Sequence, residues 1–124
     1  MNKIRPVNLD LGTLTFPPMA IVSILHRIAG IVLFLLLPVM IYFWGLSLQS
    51  VSSFEHLHHL LLNPYNKLIL WAFSSAITYH LLAGIRHLFM DMGFGETLVS
   101  ARRSAILILV LAVIAVASLG VWIW

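Results

Sequence analysis

Three long apolar stretches alternate with shorter polar ones along the chain, and that alternation predicts the architecture. Residues 1 to 18 mix charges, prolines and isolated apolar side chains, as in Asn8, Asp10 and Phe16-Pro17-Pro18, with neither a helical nor a strand period. The positive residues Lys3 and Arg5 run into polar Asn8 and Asp10, not into the apolar core of a secretory signal. This predicts a short amino-terminal surface arm. From about 19 to 47 the sequence is almost continuously apolar, long enough at about 1.5 Å per residue to cross a hydrocarbon layer of ~30 Å. Pro38 is expected to kink this span. The connection at 48 to 66 carries Phe54, Leu57 and Leu61 at helical spacing with Glu55, His56, His58 and His59 between them, the pattern of a short helix lying on the surface. Asn63-Pro64 ends it and opens a second span over about 64 to 89, with Trp71 as an interface anchor. Gly93, Gly95 and Glu96 read as a turn, and a third span over about 104 to 124 closes on Trp122 and Trp124. The expected fold is an all-α membrane protein, one domain over 1–124, with three transmembrane helices.

Composition narrows the chemistry. Of 124 residues, 61% are apolar and 9% charged, against about 25% charged in soluble domains, so the solvent for most of the chain is lipid. Seven Lys and Arg oppose four Asp and Glu, but the basic residues sit in short clusters beside apolar runs and form no nucleic-acid face. The chain has no cysteine, which excludes an iron–sulfur cluster, a disulfide, a thiolate ligand or a covalently attached haem within it. Nor is there a glycine-rich loop to cradle a flavin or nicotinamide nucleotide. Any metal here must use histidine. Lys3, Arg5, Arg27, Arg86, Arg102 and Arg103 flank one side of the predicted spans and Lys67 alone the other, which predicts a cytoplasmic amino terminus.

Ionisable groups inside lipid are expensive and mark function, and two sets of them stand out. The first is His80-Leu-Leu-Ala-Gly-Ile-Arg-His-Leu-Phe-Met-Asp91, in which His80 falls about 15 Å short of the end of its span. Ala72, Ala76, His80 and Gly84 follow one another at four-residue steps, so one ridge reads small, small, imidazole, small. That ridge predicts a flat recess beside a ring nitrogen, suited to a haem with His80 as an axial ligand. A hydrogen bond from His80 to a neighbouring helix, with the small residues serving close packing, is the other reading of the same pattern. The second set is Ser23, His26, Arg27 and Gly30 near the start of the first span, with 23 and 27 on one face and 26 and 30 on the next. A hydroxyl, an imidazole and a guanidinium suit a carbonyl or carboxylate; snorkelling of Arg27 to the surface is the plainer alternative. Antiparallel packing puts both sets in the same half of the membrane. In the first connection, His56 and His59 have the i, i+3 spacing of a metal clip, although histidines on a polar face need no ligand role.

Arg5-Pro6-Val7, then Ser23-Ile-Leu-His26-Arg27, then His80-x-x-x-Gly84-Ile85-Arg86-His87-Leu88-x-Met90-Asp91-x-Gly93 resemble the cytochrome b556 anchor subunits of succinate dehydrogenase, respiratory complex II. The likeness spans about three quarters of the chain and departs from the family pattern at Ala29, where Ser or Thr is frequent. It implies that His80 is an axial ligand of a haem b shared with a second hydrophobic anchor subunit, that His26 and Arg27 lie near the haem propionates, and that Ser23 and Arg27 contribute to a ubiquinone pocket. It also implies a flavoprotein subunit and an iron–sulfur subunit as partners in one hetero-oligomeric assembly, no nucleic acid, and a bacterial inner membrane. No succinate chemistry is expected in this chain. A fumarate reductase anchor, and a freestanding b-type cytochrome ligating haem through His26 and His80, are the alternatives.

Overall fold

A computed structural model of the chain describes residue 7 and residues 9–124; Lys3, and Arg5 and Pro6 of the first motif, lie outside the described residues. Four α-helices follow a 3-10 turn at Leu11–Thr13. Helix α1 spans Pro18–Gln49, α2 Val51–Leu60, α3 Pro64–Asp91 and α4 Leu98–Ile123. Helices α1, α3 and α4 are each long and apolar enough to cross a membrane.

Local chemistry sets each helix start. Pro18 and Pro64 occupy first-turn positions, where the missing N–H has no intrahelical partner to lose. The Asn63 side chain accepts from the Tyr65 amide at 2.9 Å. Ser50 and Ser53 form a reciprocal capping box at α2, and the Ser53 hydroxyl also donates to the Leu46 carbonyl at 2.8 Å, pinning α2 to the end of α1. Leu57 is the buried contact of α2, whereas His56, His58 and His59 are exposed. Helix α1 continues unbroken through Pro38.

Helix α4 begins earlier than the apolar run suggests. Thr97 caps it by accepting from the Ser100 amide, so Arg102 and Arg103 stand on the helix and not in the connection. Apolar periodicity locates where a helix enters hydrocarbon; backbone hydrogen bonding starts wherever a cap permits. The connection is correspondingly short, and Gly93 and Gly95 take positive φ within it, a conformation glycine adopts without steric penalty.

The bundle is held by small residues. Val22, Ala29, Tyr79, Ala83, Ala105 and Ala112 form the buried cluster where α1, α3 and α4 meet, with Ala76 packed on it. Between helices in lipid, where no hydrophobic drive separates side chain from solvent, close backbone approach supplies the packing. Large residues point outward, as with Phe34 at 77% exposure.

Candidate functional site: a histidine cluster between α1 and α3

The first turns of α1 and the last third of α3 run side by side, and their polar residues interlock. Tyr79 donates its hydroxyl to the Val22 carbonyl at 2.9 Å in a buried contact. One residue on, His80 donates from Nδ1 to the His26 carbonyl at 3.2 Å. Two adjacent residues of α3 thus grip two carbonyls one turn apart on α1, which fixes the register of the pair.

The imidazoles form a compact group. His26 stacks on His80 with ring centroids 3.9 Å apart and planes 20° from parallel, and His87 meets His26 edge-on at 5.1 Å. The Ser23 hydroxyl lies 3.4 Å from His87 Nε2. Glycines on both helices make room. A Cβ on Gly30 would stand 3.3 Å from His80 Cε1, and one on Gly84 would stand 3.4 Å from His26 Nε2. His26 Nε2 is buried with no hydrogen-bond partner among the described residues.

A second set of contacts ties α3 to α4. Arg86, only 7% exposed, donates from Nε to the Ser104 hydroxyl and from one Nη2 to the Ala101 carbonyl, both at 3.0 Å. Trp71 Nε1 donates to the Val116 carbonyl at 2.9 Å, so it clamps α3 to α4.

A family model of succinate dehydrogenase/fumarate reductase transmembrane subunits matches residues 1–119. The chain belongs to this family. Among curated members, this transmembrane subunit is 54% identical over 125 residues to the succinate dehydrogenase cytochrome b556 subunit of Coxiella burnetii, covering 100% of both chains. It is 33% identical over 101 residues to the like-named protein of Paracoccus denitrificans, covering 82% of this chain and 78% of that one. Against the protein of the same name from Rickettsia typhi it is 38% identical over 73 residues, or 59% of this chain and 56% of the other.

Of the four residues singled out in the sequence of this transmembrane subunit, three come together: Ser23, His26 and His80. Arg27 does not join them. It is exposed on α1 and makes no hydrogen bond or ion pair among the described residues. The recess expected beside His80 on the ridge of small residues is also different from the sequence picture, because the His26 ring from α1 fills the space over Gly84 and Ala76 packs into the core. Helix approach has used the missing Cβ atoms. Two imidazoles stacked face to face leave no room for an iron between them, so His26 and His80 are not arranged as a two-ligand site within one chain.

Sequence reasoning gave no site role to His87 or Tyr79, and counted Arg86 only among the basic residues flanking the spans, whereas the structure buries it. His87 follows His80 by seven residues, two helical turns, which puts both rings on one face; that spacing was the available signal. Tyr79 and Arg86 carry no such mark, since which side of α3 meets α1 or α4 is a tertiary fact.

Proposed function

We propose that this transmembrane subunit is the haem b- and ubiquinone-binding anchor of a succinate:quinone oxidoreductase, with His80 as an axial ligand. The observation that carries the reading is the tautomer of His80. A backbone carbonyl only accepts, so the contact to the His26 oxygen requires the proton on Nδ1. The lone pair is then on Nε2, which makes no hydrogen bond and is not sealed off by protein. Metal-bound imidazoles have this arrangement, one nitrogen on the metal and the other donating to a carbonyl or carboxylate. The histidine-only donor set fits a b-type haem, the cofactor implied by the names of the relatives. When bound, the haem supplies a one-electron carrier within the membrane.

The chain's own residues do the rest. His80 would offer one nitrogen to the haem iron, and a second hydrophobic anchor subunit would supply another, since His26 is stacked on His80. The guanidinium of Arg27, exposed on α1, would be available to a haem propionate or to a quinone carbonyl, and His26 would stand near the propionates. Ser23, held beside His87, and Arg27 direct donors at the quinone oxygens on which negative charge grows. With no cysteine in the chain, electrons arrive from an iron–sulfur partner, which receives them from a flavoprotein that oxidises succinate in the tricarboxylic acid cycle. The distribution of basic residues supports a cytoplasmic position for that docking side and for the amino terminus. Optical and EPR spectra of membranes carrying His80→Ala test this: loss of the low-spin bis-histidine haem signal is expected, and an unchanged signal refutes the ligand assignment.

A further inference from the structure

At the end of the bundle where α3 finishes and α4 starts, a cavity of about 280 Å³ opens between the two helices. Its walls are apolar, with Leu82, Phe89, Phe94 and Leu107 among them, and one side is formed by Arg86 together with Ser100 and Ser104. Phe89, Phe94 and Leu107 are more than half exposed, so the cavity communicates with the surface of the bundle.

Arg86 is the anomaly there. Its guanidinium is always charged, it is more than nine-tenths buried, and its two hydrogen-bonding nitrogens satisfy neutral oxygens only. Nη1 makes no hydrogen bond among the described residues, and Arg86 lines this cavity. Asp91 and Glu96, the nearby carboxylates in sequence, are exposed and form no ion pair with any arginine among the described residues. A buried charge without a counter-ion is costly unless something brings one.

Depth selects the occupant. Arg86 lies five residues before the end of α3 at Asp91, about 7 Å along the axis, and Arg102 and Arg103 stand exposed on the second turn of α4. At that level beside a membrane helix, the abundant anions joined to apolar bodies are lipid phosphates, and basic recesses between transmembrane helices capture them. A carboxylate on a neighbouring helix would carry its own cost in lipid, and a neutral quinone carbonyl would leave the charge uncompensated. We propose that the α3–α4 groove is a binding site for an anionic phospholipid, with the acyl chain against Phe89, Phe94 and Leu107 and the phosphate at Arg86. The site is separate from the histidine cluster between α1 and α3, and does not depend on the haem reading.

Native mass spectrometry of the full chain, purified with whatever subunits accompany it, delipidated and titrated with phosphatidylglycerol or with phosphatidylcholine of the same acyl chains, decides the matter. One saturable phosphatidylglycerol site is expected, with phosphatidylcholine and inorganic phosphate failing to occupy it. Arg86→Gln, which removes the charge, weakens binding by about fivefold, the share one arginine contributes near a membrane surface, and Arg86→Lys retains part of the binding. Leu107→Trp, which fills the groove and leaves the Arg86 contacts in place, also weakens binding; should Arg86→Gln fail to fold, Leu107→Trp carries the test. Equal uptake of both lipids, insensitivity to Leu107→Trp, or displacement of phosphatidylglycerol by ubiquinone each overturns the site.

Discussion

At the scale of single residues, position in a helix matters less than what the neighbouring helix presents. His80 and His26 are 54 residues apart, yet the backbone oxygen of one fixes the proton on the other, a relation that turns an ambiguous imidazole into a defined donor with one open lone pair. Arg27 is the opposite case. Its sequence neighbours suggest a donor cluster, but its side chain is turned outward and unpaired, the state expected of a group that waits for a ligand or a partner chain. Arg27→Leu is therefore expected to leave the bundle's stability within about 0.5 kcal/mol, as for exposed positions generally. The same change should abolish ubiquinone reduction while succinate oxidation with an artificial acceptor survives; measuring both activities in membranes checks it, and retained quinone activity would remove Arg27 from the pocket.

At the scale of elements, the decisive quantity is how closely α1 and α3 approach. Gly30 and Gly84 face the imidazoles of the opposite helix, and the core is built largely of alanines. Gly30→Ala would need the His80 ring to shift by a few tenths of an ångström, whereas the branched side chain in Gly30→Val must push it away. Overpacking of this kind costs about 1–3 kcal/mol. Gly30→Val is accordingly expected to lower the thermal midpoint of the detergent-solubilised protein and to alter the haem EPR signal together; a wild-type spectrum would show that the His80 environment tolerates wider helix spacing. The helices themselves were legible in the sequence because a run of twenty or more apolar residues has few alternatives in lipid. The start of α4 was not, since a threonine cap and arginines that reach outward let the helix begin before the hydrocarbon does.

At the scale of the whole molecule, the exposed surface is itself the message. Phe34, Leu35, Ile31 and Ile41 along α1, and Val113 and Val121 along α4, are largely exposed, and His26 Nε2 and Ser75 Oγ are buried side-chain atoms with no hydrogen-bond partner among the described residues. Lipid covers apolar surface well but cannot supply a second imidazole. Produced without other subunits and purified in detergent, the chain is expected to lack a bis-histidine low-spin haem spectrum, which coexpression with the second hydrophobic anchor restores; a normal spectrum from the lone chain would favour a freestanding cytochrome.

Apolar run length determined that three helices are long enough to cross a membrane, the absence of cysteine excluded thiolate ligands, iron–sulfur clusters and disulfides within the chain, and the spacing of Ser23, His26 and His80 from the helix ends placed them at a common depth. These follow from the chain's own geometry: rise per residue, side-chain chemistry and the energetics of charge in lipid. Only the tertiary structure decided which faces meet. It put His26 into the space expected to lie open beside His80, drew in His87, turned Arg27 outward and buried Arg86 against α4. The rotation of one helix about its axis is set by contacts with another, and a uniformly apolar helix carries no periodic pattern from which that rotation can be read.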